Sequence, residues 1–264
     1  MSGTGSADKI LTILDVFTEN RLEWTADELI EKLGYSRPTL YRYVKLLKEA
    51  GFLVAMPNGI MTLGPRFVEM DFLMQCSDPL VRYGKEHLLN LSKAWPCTGF
   101  LVRWYGEKLL CVASECSIPN PISSYPRGRP MPLARGAISR AIMANLPRRQ
   151  IEKLVQNNLE ELISIGLGED IEEVTEALKN VRKEGVAAAY GEVTKGVIGI
   201  ASPVFGESRN PIAALCMTIA ETSVDGEAIE IIKEQVKAAA EALSESLEKY
   251  PTMELHEYAA RNFG

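Results

Sequence analysis

Four cations, Arg37, Arg42, Lys45 and Lys48, fall within the stretch YSRPTLYRYVKLLKEAGFLV (35–54), with no carboxylate among them. On a helix, Arg37, Thr39, Tyr41, Arg42 and Lys45 share the exposed side of its N-terminal half, with Ser36 as the cap. Arginine can pair with guanine through two hydrogen bonds, and Thr, Tyr and Lys can hold phosphates. The plain alternative is a solvated helix face. The patch is local, because the 264-residue chain carries a net charge of −6. A small basic surface can still meet phosphate on an acidic protein.

A second set of residues suits a small anion. Arg127, Arg129, Arg135 and Arg140 stand in a turn-rich stretch that runs into a helix expected from about Leu133 to Asn145. Backbone N–H groups near Gly136, Ala137 and Ile138 can receive a carboxylate, and an arginine can add to the grip. Two apolar runs, VIGIASPVF and PIAALCMTI, carry Val197, Gly199, Cys216 and Thr218. Alternate strand residues share a face, so Cys216 and Thr218 can line one pocket. Trp104, Tyr125 and Met131 are apolar candidates for its walls. Core packing and surface arginines are the plain alternatives.

Cysteine chemistry finds less support. Cys76, Cys97, Cys111, Cys116 and Cys216 are odd in number and form no C-x-x-C pair. They are expected to be reduced thiols in a cytoplasmic protein. A nucleophilic Cys216 or Cys111 needs a neighbouring base. His87 and His256 are the only histidines, and neither has ligand spacing to a cysteine pair, so no metal and no cofactor is expected. The opening MSGTGSADKI lacks a secretory signal, and no apolar run reaches the ~20 residues of a membrane span.

The elements that must position these residues follow from pattern. In KILTILDVFT, Ile10, Ile13, Leu14 and Phe17 share a helical face. EWTADELIEKLG is a second helix with Thr25 as N-cap and Gly34 past its end. The third is the basic stretch, with Pro38 in its first turn and Gly51 as its stop. Its buried face combines Leu40, Val44 and Leu47, with Tyr43 and Leu46 at the edges. The acidic residues Glu19, Glu23, Asp27, Glu28 and Glu31 are expected to face elsewhere. Two short strands around Asn58-Gly59 form a hairpin. The sum is a helix-turn-helix with a wing, residues 1–64, whose wing tip Asn58 and following Arg66 are further candidates for DNA contact. Residues 65–77 form an amphipathic linker helix. Residues 78–250 form an α+β domain, with Asp78 capping its first helix and a mostly antiparallel sheet. Residues 251–264 are a tail.

This arrangement resembles the IclR family of bacterial transcriptional regulators, over roughly Lys9–Leu247. The resemblance rests on ILDVF, TADELIEKLG, TLYRYVKLLKEAGFL and NGIMTLGPRF, then on RGRPMPLARGAISRAIMANLP, VRKEGVAAAYGEVTKGV and IASPVF. It implies a winged helix-turn-helix, a linker helix and a GAF-like effector-binding domain. It further implies dimers or tetramers on palindromic promoter sites, and small-molecule effectors that are often carboxylic acids. Val197, Gly199, Cys216 and Thr218 stand where the family contacts effectors. The chain departs from the family pattern at Ala134, usually histidine, at Ala189, usually acidic, at Gly199, often cysteine, and at Gly206, commonly aspartate. The departures at Ala134, Ala189 and Gly199 imply a roomier, less polar pocket, suited to an aromatic or medium-chain acid. The expected effector contacts are Arg135, Gly136, Ala137, Ile138, Ala189, Val197, Gly199, Cys216 and Thr218. The expected function is a DNA-binding regulator, not an enzyme, tuned by a small acid. Alternatives are a small-molecule sensor acting through a protein partner, or a cysteine-dependent enzyme.

Overall fold

The computed structural model describes residues 5–121, 125–207 and 210–249. The expected tail 251–264, with His256, lies outside the described residues. The chain divides into two compact units at the Ser77–Asp78 junction.

The first unit contains α1 (Ser6–Asp15), α2 (Ala26–Leu33), α3 (Arg37–Glu49), β1 (Leu53–Ala55), β2 (Met61–Leu63) and α4 (Arg66–Ser77). A reciprocal cap starts α2. Thr25 Oγ1 accepts from the Glu28 N–H at 3.4 Å, and Glu28 accepts from the Thr25 N–H at 2.8 Å. Ser36 precedes α3, but its hydroxyl pairs with Thr39 Oγ1 at 2.8 Å and caps no N–H. Ile13, Leu29, Leu40, Tyr43, Val44 and Leu47 meet in one core with Leu53 and Met61. Leu46 stands outside it, 47% exposed.

The wing is fixed at its base. Trp24 donates to the Met61 carbonyl at 3.1 Å and accepts from the Met61 N–H at 2.8 Å, so β2 is tied to the segment entering α2. Asn58, at φ 67°, forms the hairpin turn with Pro57 and Gly59. The amphipathic expectation for the linker fails. Along α4, Val68, Met70, Phe72, Leu73 and Met74 are all exposed. At 100° per residue they spread around the helix rather than sorting to one side.

The second unit begins with α5 (Pro79–Ala94), β3 (Cys97–Trp104), β4 (Leu109–Cys116), β5 (Pro130–Met131) and α6 (Ala137–Met143). It continues through α7 (Arg148–Asn157), α8 (Leu159–Ser164), α9 (Ile171–Glu184), β6 (Ala187–Tyr190), β7 (Val197–Phe205), β8 (Pro211–Ala220) and α10 (Gly226–Lys249). Among the described residues, six strands form one antiparallel sheet in the order β5-β4-β3-β8-β7-β6. The α+β reading therefore holds. Strand alternation sorts side chains into two cores. Leu101, Ile200, Leu215 and Met217 pack with Leu88 of α5 and with Ile232 and Val236 of α10. Phe100, Val102, Ala201 and Cys216 pack with Ala137, Ala141 and Ile142 of α6. Asp78 caps α5 by accepting from the Leu80 N–H at 3.0 Å, and it pairs with Arg103 of β3 at 2.7 Å. Helix α6 starts four residues later than expected, because Gly136 takes a φ of 87° that most residues avoid.

Candidate functional site

On the first unit, α3 turns Arg37, Tyr41, Arg42, Lys45 and Lys48 outward, with Tyr41 51% exposed. Tyr41, Lys45 and Lys48 line one groove together with Asp27, Asn58 and Gly59. The helix face and the wing turn thus share a concave surface. Arg66 lies apart, in a depression with Gly51, Phe52 and Met70, and it pairs with Glu69 at 2.8 Å.

The basic face is not free of carboxylates. Asp27 pairs with Arg37 at 2.7 Å, correcting the expectation that Asp27 faces elsewhere. Glu49, in the last turn of α3, lies 3.7 Å from Lys45. Arg42 donates to the Tyr43 hydroxyl at 3.2 Å, and its guanidinium lies 5.0 Å from that ring's centre. Exposed ion pairs of this kind stabilise by only about 0–1 kcal/mol, so the cations exchange partners at little cost.

On the second unit, one small cavity of about 50 Å³ brings together every residue expected at the effector site. Arg135, Gly136, Ala137 and Ile138 come from the α6 end, and Ala189, Val197 and Gly199 from β6 and β7. Cys216 and Thr218 come from β8, and Tyr125 and Met131 complete part of the wall. Trp104 does not line it. Thr218 Oγ1 donates to the Thr98 carbonyl at 3.3 Å. Arg135 is half-buried and paired with Glu161.

The cavity is narrower than its small residues imply. Phe100, Pro132, Glu192, Val193 and Thr194 also line it. Room for a few water molecules is all that about 50 Å³ provides. Nor is the first N–H of the α6 region unpaired. Glu192 Oε2 accepts from Gly136 N at 2.9 Å, and Oε1 pairs with Arg140 Nη2. Glu192 carried a faint sequence signal, as the one carboxylate between Glu184 and Glu207, set beside Gly191. Its partner Arg140 lies 52 residues earlier, which no local pattern reveals.

Cys97, Cys111 and Cys216 are poor nucleophiles here. Burial pushes Cys216 far above the ordinary thiol range, Cys111 up to about 11 and Cys97 up to about 12. Burial also lowers the His87 imidazole. His87 sits on α5, across the sheet from the core that holds Cys111 and Cys216. Among the described residues, no group of three or more His, Cys, Asp or Glu is placed to hold a metal ion, and no helix is long and apolar enough to cross a membrane.

Comparison with known proteins gives a consistent result. Residues 6–57 match the IclR helix-turn-helix domain, and residues 106–245 match the C-terminal domain of bacterial transcriptional regulator IclR. The HTH-type transcriptional regulator KipR of Bacillus subtilis (strain 168) is 26% identical over 242 residues, covering 90% of this chain and 95% of KipR. The HTH-type transcriptional regulator XynR of Escherichia coli (strain K12) is 26% identical over 243 residues, covering 92% and 96%. The crystal structure of an IclR homolog complexed with 4-hydroxybenzoate, from Microbacterium hydrocarbonoxydans, shares the fold. Its TM-score is 0.75 at 19% identity, covering 92% of this chain and 99% of that one.

Proposed function

The chain belongs to the IclR family of bacterial transcriptional regulators, and on that premise we propose that a small organic acid in the C-terminal cavity sets its affinity for a palindromic DNA operator. The observation that carries the effector part is convergence. Nine residues, spread from Arg135 to Thr218 and named from sequence alone, line one cavity. Thr218 sits among mostly apolar walls, as in sites that orient one small ligand. The 4-hydroxybenzoate held by the Microbacterium hydrocarbonoxydans homolog supports an aromatic acid as the class to try first. An aromatic acid exceeds the present void, so in this reading part of the wall yields as it enters.

In this proposal residues 1–64 bind DNA, 65–77 link, and 78–250 sense the effector. Ser36, Arg37, Thr39, Tyr41, Arg42 and Lys45 contact bases and phosphates from the major groove. Asn58 of the wing and Arg66 hold backbone. One winged helix-turn-helix covers few base pairs, so the working form is a homodimer or homotetramer spanning two half-sites. The exposed Val68, Phe72, Leu73 and Met74 of α4 support a meeting of two copies there.

The experiment is fluorescence anisotropy on DNA upstream of the protein's own gene, with and without a panel of small carboxylic acids. Binding that one acid shifts several-fold is expected. A ligand at 100 times its Kd also adds about 2.7 kcal/mol of stability, readable as a thermal shift. No acid altering either readout would refute the effector assignment, and no DNA binding would refute the operator assignment.

A further inference from the structure

We propose that Glu192 occupies the place of the effector's carboxylate: it closes the cavity by pairing with Arg140, and an organic acid binds by displacing it. This deepens the acid-binding reading above and rests on it.

Three features carry the inference. First, Glu192 lies between the cavity and a buried cation. Its side chain lines the cavity and is 12% exposed, and the Arg140 side chain behind it is 13% exposed. Arginine stays charged at any physiological pH, so Arg140 requires an anion beside it permanently. Arg140 is also underserved. Nη1 donates to the Ala188 carbonyl at 2.9 Å, Nη2 meets Glu192, and Nε is buried with no hydrogen-bond partner among the described residues.

Second, Glu192 belongs to a short turn whose ends are pinned, Gly191 N donating to the Val197 carbonyl and the Gly196 carbonyl accepting from Glu221 N, each at 2.9 Å, so that a displacement falls on the residues between them. The segment joins β6 to β7, and Gly191 and Gly196 flank it at φ 66° and 74°, conformations that glycine adopts freely. Glu192, Val193 and Thr194 are consecutive, and all three line the cavity. Val193 packs directly on Gly136, where an added Cβ would come within 2.8 Å of Val193 Cγ2. The tie from Glu192 to Arg140 and to the Gly136 N–H therefore holds a whole wall in place.

Third, the void is only about 50 Å³ while this wall is closed. Moving Glu192 aside adds the space its carboxylate fills and opens the cavity onto Arg140. The released carboxylate regains water at the surface. The vacated position accepts only an anion, because a neutral ligand would leave a buried guanidinium uncompensated. Selectivity for acids over their amides is thus built into the pair.

The test is calorimetric titration of the full-length wild type and Glu192→Gln with benzoate and acetate, and with benzamide and acetamide as neutral counterparts. Glutamine keeps the size and the acceptor for the Gly136 N–H but removes the competing charge. The expected result is at least tenfold tighter acid binding by Glu192→Gln, no gain for the amides, and loss of the gain in Glu192→Gln/Arg140→Met. Should the glutamine variant fail to fold, Glu192→Ser carries the same comparison. Equal acid binding by wild type and variant, or an equal gain for the amides, overturns the displacement while leaving the acid-binding reading intact. Acids bound by neither protein overturn both. Acids bound as expected but without effect on operator affinity overturn only the regulatory reading.

Discussion

Removing one acidic side chain should strengthen DNA binding. Asp27 stands in the first turn of α2 and holds Arg37 at 2.7 Å, with both side chains well exposed. To reach DNA, Arg37 must leave this carboxylate. An exposed pair is worth about 0.2–1 kcal/mol, so the competition costs roughly 1.5- to 5-fold in affinity. Asp27→Ala removes that cost and one negative charge lining the groove beside Lys45 and Lys48. The expected outcome is operator binding about 2- to 5-fold tighter in 0.1 M salt, with a smaller gain at higher salt as screening grows. The helix itself loses a first-turn carboxylate, about 0.3–1 kcal/mol of stability. Fluorescence anisotropy on wild type, Asp27→Ala, Arg37→Ala and the double variant measures the coupling. If Arg37 works as described, the gain from Asp27→Ala disappears when Arg37 is already alanine. A gain of equal size in the Arg37→Ala background would show general charge removal. Unchanged or weaker binding by Asp27→Ala would refute the competition altogether.

Arg42→Ala should weaken specific operator binding by about 1–3 kcal/mol if Arg42 reads a base, measured against a scrambled site to separate base from phosphate contact. Asp78 supplies a charge and two hydrogen bonds, and urea unfolding can tell them apart. Asp78→Asn keeps an Oδ1 acceptor for both the Leu80 N–H and Arg103 and removes only the charge, costing about 0–1 kcal/mol, and Asp78→Ala removes both hydrogen bonds and costs about 1–3 kcal/mol more. The buried Cys111 thiol, pushed up from 9.0 to about 11, favours the protonated native state. Its contribution is complete below about pH 8.5 and is lost as pH rises from there through about 11, by up to about 1.4 kcal/mol per pH unit. Unfolding curves of wild type and Cys111→Ala should therefore converge with rising pH, and parallel curves would contradict this.

Local chemistry was readable along the chain, and long-range pairing was not. Thr25 and Glu28 are three residues apart, so the cap of α2 could be recognised without knowing the fold. Strands β7 and β8 are apolar runs bounded by turn residues, and the facing of Cys216 and Thr218 follows from alternation alone. The apolar pattern continues back through Leu133 and so predicts an early start for α6, while only the backbone angle of Gly136 marks the break. Nothing in the sequence AAAY marks β6 as a strand. Alanine has little strand preference, and pairing with β7 decides the matter. The same limit hid Glu192. The cavity's small residues were visible, but the side chains that fill it come from a loop whose partners are distant in sequence. Asp27 and Arg37 are ten residues apart on different helices, so the acid beside the basic face was hidden too.

The two-sided sheet gives this protein two packed faces, of which only one also lines the cavity. On β8, Leu215 and Met217 face α5 and α10, while Cys216 and Thr218 face the cavity. On β7, Ile198 and Ile200 face the first core, while Val197 and Gly199 face the cavity. Ligand preference is therefore written in alternate letters of each strand, and those same letters also pack against α6. Drift at the cavity-facing positions can retune recognition while the opposite face keeps its packing. A combinatorial library confined to Gly199 and Thr218, the two of these positions that are only partly buried, would sample new ligands while leaving Phe100 and Cys216 in the second core.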